Sequence, residues 1–218
     1  MICLPLRTEF LIFAVLGGVL TAVASNPKQG GPVSLSAKVS QSNSRLIIDY
    51  TFENNDDKTI YVWDVMTNFA GDEQVVDPAF AYVFWEEPNT IRVVRAVLDE
   101  PPNVHPVVRE LPFVRKVPGH QAARGQILLA LPLHEYSPFY PPAVQTKLVQ
   151  CQSIHLIIGW IEHQQGMVLS ERKVGGQSVL ALRGSWPRPA QHLAEKILSL
   201  SGVLSVRQDD FDRRLPPH

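Results

Sequence analysis

Val33-Ser34-Leu35-Ser36-Ala37-Lys38-Val39-Ser40, a polar turn Gln41-Ser42-Asn43-Ser44, then Arg45-Leu46-Ile47-Ile48-Asp49-Tyr50-Thr51-Phe52-Glu53: apolar and polar residues alternate on both sides of the turn. Val33, Leu35, Ala37 and Val39 alternate with Ser34, Ser36, Lys38 and Ser40. After the turn, Leu46, Ile48, Tyr50 and Phe52 face one way, and Arg45, Asp49, Thr51 and Glu53 the other. A period of two puts successive side chains on opposite faces of an extended strand. The stretch therefore predicts a β-hairpin with one wet face and one apolar face that a second layer must cover.

The same pattern continues outward. Asn54-Asn55-Asp56-Asp57 is a turn cluster, because short Asx side chains bond their own backbone. Thr59 to Met66 reads as a third strand, and Phe80 to Trp85 with Ile91 to Val97 as a second hairpin around Glu86-Glu87-Pro88-Asn89-Thr90. Pro101, Pro102, Pro106 and Pro112 mark a connector, since proline cannot donate to a sheet ladder. Phe113 to Val117 leads to the turn signal Pro118-Gly119, and Gln126 to Leu133 alternates again. Leu148 to Ile161 is more continuously apolar, as expected for a central strand. Met167 to Val174 and Ser178 to Arg183 flank Gly175-Gly176.

About nine or ten short strands separated by turn signals predict an all-β, immunoglobulin-like β-sandwich rather than βαβ units. A short C-terminal helix is expected after Pro189. Leu193, Ile197 and Leu200 fall on one stripe, Gly202 suits a stop, and Ala, Glu, Lys and Leu favour helix. The competing reading is a strand over Lys196 to Leu200.

Ahead of the β-rich part, Phe10 to Val23 is apolar apart from Thr21, with Arg7 upstream and Ala22-Val23-Ala24 downstream. A basic start, a short apolar core and an A-x-A site form the pattern of a secretory leader. The core falls short of the ~20 residues a helical span needs. The division expected is a leader over 1–24, a β-sandwich domain over 25–205 and a polar tail over 206–218. Loss of the leader leaves Cys151 as the single cysteine, read as a buried and inert thiol, and no intrachain disulfide.

With 20 Lys plus Arg against 21 Asp plus Glu, scattered rather than clustered, the chain lacks the electrostatic footprint of a nucleic-acid binder. It has no basic amphipathic stretch for a membrane surface, and no membrane span is expected after leader cleavage. Catalytic signatures such as H-E-x-x-H, G-x-S-x-G, C-x-x-C and G-x-x-x-x-G-K are absent from the sequence. No cofactor and no metal are therefore expected. His155 and His163 stand about 26 Å apart on one strand at ~3.3 Å per residue, so they cannot share an ion. His105, His120 and His134 lie in loops, with no spacing that makes a zinc site. Asp64, Asp72, Glu73 and Asp77 lack the order of a calcium loop.

The most distinctive loop is Glu135-Tyr136-Ser137-Pro138-Phe139-Tyr140-Pro141-Pro142. Prolines lower the entropy of a free loop and aromatics supply contact area, so Tyr136, Phe139 and Tyr140 are the candidate partner-binding residues. The competing reading makes them a lid folded over one end of the sandwich. The expectation overall is a secreted or periplasmic, monomeric, non-catalytic module that contacts an envelope or extracellular protein through loops. A proteinase inhibitor with a proline-stiffened loop and a metal-assisted hydrolase using loop histidines are the alternatives.

Overall fold

The computed structural model describes residues 31–86, 88–100, 112–139, 146–183 and 190–209. The expected leader, the connector prolines Pro101, Pro102 and Pro106, His105 and Tyr140 lie outside the described residues. Within them the chain is all-β, as fourteen strands: β1 Val33–Gln41, β2 Arg45–Asn54, β3 Ile60–Val65, β4 Thr67–Ala70, β5 Glu73–Val76, β6 Tyr82–Glu86, β7 Thr90–Arg95, β8 Phe113–Val117, β9 Ala122–Ala130, β10 Leu133–His134, β11 Thr146–Glu162, β12 Val168–Val174, β13 Gln177–Arg183 and β14 His192–Asp209. Among the described residues, no helix is long and apolar enough to cross a membrane.

The opening hairpin forms as its alternation requires. β1 and β2 pair antiparallel, and β9 adds to β2 to make a three-stranded sheet. Leu46, Ile48, Tyr50 and Phe52 all point inward and are buried. The layer that covers them is a nine-stranded sheet in which β11 is the spine. Along one edge β11 pairs antiparallel with β14. Its other edge is shared: β7 runs parallel to Ser153–Ile158, and β3 runs antiparallel to Trp160–Glu162. From β3 the sheet continues through β8, β13 and β12. Leu35, Ile48 and Phe52 of the small sheet share one core with Val62, Val93, Leu156 and Leu198 of the large one. β4 and β5 form a separate hairpin, where the sequence pattern gave no strands.

The C-terminal segment corrects the sequence expectation. No helix forms after Pro189; His192–Asp209 is the longest strand of the chain. Ala194, Lys196 and Leu198 are buried, and so are Leu204 and Val206 further on. Of the supposed helical stripe, Leu193 is 36% and Ile197 60% exposed. Helix propensity separates residue types by a few tenths of a kcal/mol each, and a short helix without an apolar face to bury is marginal in water. Pairing with β11 satisfies the backbone and buries the alternate side chains, so it prevails. Gly202, expected as a helix stop, lies at an irregularity where the register steps from Cys151–Leu204 to Ser153–Ser199. Residues 206–209, assigned to the tail by pattern, fall within this strand.

Candidate functional site

Three places gather polar and aromatic chemistry: the face around Tyr136, a cleft at the free edge of β9, and a group across β6, β7, β11 and β14.

Tyr136 follows β10 and is fixed by its own backbone. Its N–H donates to the Val83 carbonyl at 2.8 Å, and its carbonyl accepts from the Val83 N–H at 3.2 Å. One residue earlier, Glu135 accepts from the Trp85 N–H through its carboxylate at 2.6 Å and donates its own N–H to the Arg207 carbonyl. The loop start is thus held between β6 and β14. The Tyr136 ring stands edge-on to Phe80 at 5.1 Å and lies parallel to Tyr82 at 6.4 Å. Tyr82 is buried, whereas Tyr136 is 40% exposed and Phe139 half-buried. Tyr136 therefore rests on a rigid aromatic base with part of its ring open to solvent.

The second place was not singled out from the sequence. Four polar side chains occupy core-facing positions of their strands: Tyr50 in phase with Ile48 and Phe52, Asp64 with Ile60 and Val62, Arg95 with Ile91 and Val93, and Arg115 with Val117. They meet. The Tyr50 hydroxyl donates to Asp64 Oδ2 at 3.0 Å, and Arg115 Nη2 reaches the same oxygen at 3.2 Å. Arg95 donates from Nη1 to the Tyr50 hydroxyl at 3.0 Å, from Nε to the Phe80 carbonyl at 3.0 Å, and from Nη2 to the Gln126 carbonyl at 3.1 Å and the Pro78 carbonyl. Arg115 Nη1 donates to the Arg124 carbonyl at 2.7 Å. Arg124 and Gln126 are alternate residues on the unpaired side of β9. Two guanidinium groups thus take the place of the missing neighbour strand, satisfying carbonyls that a bare edge leaves open.

Gly125 makes this possible. It pairs with Tyr50 across β2 and β9, and a Cβ there would overlap the Tyr50 phenol ring. Burial raises the Tyr50 hydroxyl far above its ordinary range, and the neighbouring Asp64 charge adds to that. Burial also raises the Asp64 carboxyl, against the opposing pull of Arg115, the Tyr50 hydrogen bond and Arg95. Among the described residues, Asp64 Oδ1 has no hydrogen-bond partner. The signal that could have found the cluster is charge in the buried phase of a strand; weighing Asp64 only as a calcium ligand misses it.

A third group lies across β6, β7, β11 and β14. Arg92 Nη2 bonds Glu86 at 2.9 Å, and His155 bonds Glu86 through Nδ1 and Glu195 through Nε2, both at 3.0 Å. Burial alone would lift the Glu86 carboxyl, but its bonds to Arg92 and His155 outweigh that and hold it below the usual range. His120 bonds Asp57, and His163 approaches the Tyr61 hydroxyl at 3.4 Å. Of the acidic residues, Asp64 is committed to the core cluster and Asp77 accepts from the Ala79 N–H. Among the described residues, no three His, Cys, Asp or Glu side chains converge as metal ligands. Cys151 is buried, and burial pushes its thiol up to about 11, which keeps it protonated at neutral pH.

Comparison with family models, with curated proteins and with solved structures finds no match to this chain.

Proposed function

We propose that this chain is a non-catalytic binding module, secreted or periplasmic, built on an immunoglobulin-like sandwich, and that it contacts a partner protein through the loop that carries Tyr136, Phe139 and Tyr140. The observation that supports this reading is Tyr136: its backbone is bonded to Val83 on both sides while its ring is 40% exposed. An aromatic side chain fixed before binding loses little entropy on docking, and such anchors dominate interface energetics. The lid reading accounts for Tyr82, which is buried, and in part for Phe80, which is half-buried, and less well for the open part of the Tyr136 ring.

The experiment compares the exported full-length gene product with its Tyr136→Ala and Phe139→Ala variants. Each is recovered from the envelope and medium fractions after crosslinking, with N-terminal sequencing of the same sample. Processing is expected after Ala24. The crosslinked partner should be depleted in Tyr136→Ala by the equivalent of about 1–3 kcal/mol in affinity, with little change in melting temperature. Undiminished crosslinking, or a loss that tracks unfolding, removes the loop from the binding role.

A further inference from the structure

The cleft at the β9 edge has a volume of about 780 Å³ and opens among β8, β9 and the start of β13. Its lining includes four cationic residues, Arg95, Arg115, Lys116 and Arg124, and a single acid, Asp64. Arg95 spends its N–H groups on carbonyls and on Tyr50, so it contributes charge rather than contacts. Arg115 is different. Asp64 and the Arg124 carbonyl grip it from behind, and the side chain remains 37% exposed. A guanidinium held in place and still open is a preorganised receptor for a planar oxyanion.

We propose that this cleft binds a small organic oxyanion, a carboxylate or a phosphate ester, with Arg115 as its principal contact and Arg124 at the rim. The charge balance selects an anion, since the lone carboxylate at the floor offsets one of the four positive groups. Asp49 and Glu171, which bond the Gln126 amide and the Ser178 hydroxyl, are not part of the lining. The volume selects an organic molecule over a bare inorganic ion, because it falls in the range of about 300–1,000 Å³ typical of small-molecule sites. Gln177 adds a polar group for the uncharged part of the ligand. Asp64 acts here as a positioning residue, fixing the guanidinium without touching the ligand. This site is separate from the Tyr136 face, so either assignment can fail without the other.

The test is calorimetric titration of the full chain with citrate and, separately, with glycerol 3-phosphate, each at constant ionic strength set by sodium chloride. Saturable binding of either probe is expected, and the tighter one identifies the acid class. Arg115→Gln should weaken it at least tenfold. Because that change also strips Asp64 of a counter-charge, Arg124→Gln serves as a second variant: its backbone carbonyl stays in place, and it should weaken binding severalfold with the melting temperature unchanged. No saturable heat with either probe, or undiminished affinity in the folded Arg124→Gln and Arg115→Gln proteins, overturns the proposal.

Discussion

The chain contains two clusters of the same chemistry in two different settings. At the β9 edge, Asp64, Tyr50 and Arg95 are drawn together inside the protein, with Arg115 at their margin. On the outer face of the large sheet, Glu86, Arg92, His155 and Glu195 form a ladder across four strands, with the Glu195 carboxylate half open to water. Each joins arginine to carboxylate at hydrogen-bond distance. The difference is what happens when a partner is lost. In the ladder every side chain is partly open to water, from 16% for His155 to 49% for Glu195, so water can take up part of the loss. At the β9 edge, an abandoned charge or carbonyl stays buried, and the cost of leaving it unpaired far exceeds the net worth of the bond.

The sharpest way to break this comparison is to remove one arginine from each cluster. Arg95→Met keeps much of the volume and deletes the guanidinium that serves Tyr50 and the carbonyls of Pro78, Phe80 and Gln126. A loss of about 3–5 kcal/mol is expected, the range for breaking a buried ionic network. Arg92→Met removes the ion pair with Glu86 and should cost about 1 kcal/mol or less, because both side chains keep some contact with solvent. Urea unfolding of the two variants measures both. Equal losses would mean that the ladder is as desolvated in effect as the core cluster.

A smaller effect tests how the core cluster is fitted together. Gly125→Ala places a methyl group against the Tyr50 ring, which must move and take its hydroxyl away from Asp64. Overpacking of this kind costs about 1–3 kcal/mol. Gly202→Ala is the control: a Cβ at Gly202 meets nothing within 4 Å, and its cost should be a few tenths of a kcal/mol at most. If the two glycines behave alike, Gly125 is not what admits the Tyr50 ring.

These contrasts also explain which parts of the molecule could be read in advance. The hairpin of β1 and β2 was legible because its pattern has one phase and few exceptions, and all four predicted inward residues of β2 are buried. β11 was legible through Ile154–Ile161, which is apolar apart from His155 and buried almost throughout, as a strand covered on both faces is. β14 was not: Ala194, Glu195 and Lys196 favour a helix locally, and its pairing with β11 is a long-range fact absent from any short window. The core cluster was half legible. Asp64 and Arg95 each interrupt an apolar phase, which marks them as buried polar residues in need of partners. Which partners they find depends on β3, β7 and β9 meeting at one edge, and nothing local encodes that. Tyr136 was legible as a candidate, while the base of Phe80 and Tyr82 beneath it was not.

The last effect is a difference in the sign of pH dependence. The folded-state pKa of Asp64 is raised, first by burial, so folding favours its protonated form. Above the ordinary carboxylate value the native state then holds more protons than the unfolded chain, and stability falls as pH rises through that window. Glu86 behaves in the opposite way, because Arg92 and His155 overcome its burial and lower its pKa. Its contribution is present above the ordinary carboxylate value and is lost as pH falls through the depressed one. Asp64→Asn should therefore remove a decline on the alkaline side of the carboxylate range. Glu86→Gln should remove a decline on the acid side, worth under about 1 kcal/mol given its partial exposure. Denaturant unfolding from pH 3 to pH 8 for the wild type and both variants gives the two difference curves. Slopes of the same sign would show that burial, rather than the choice of partner, governs both clusters, and the distinction between them would collapse.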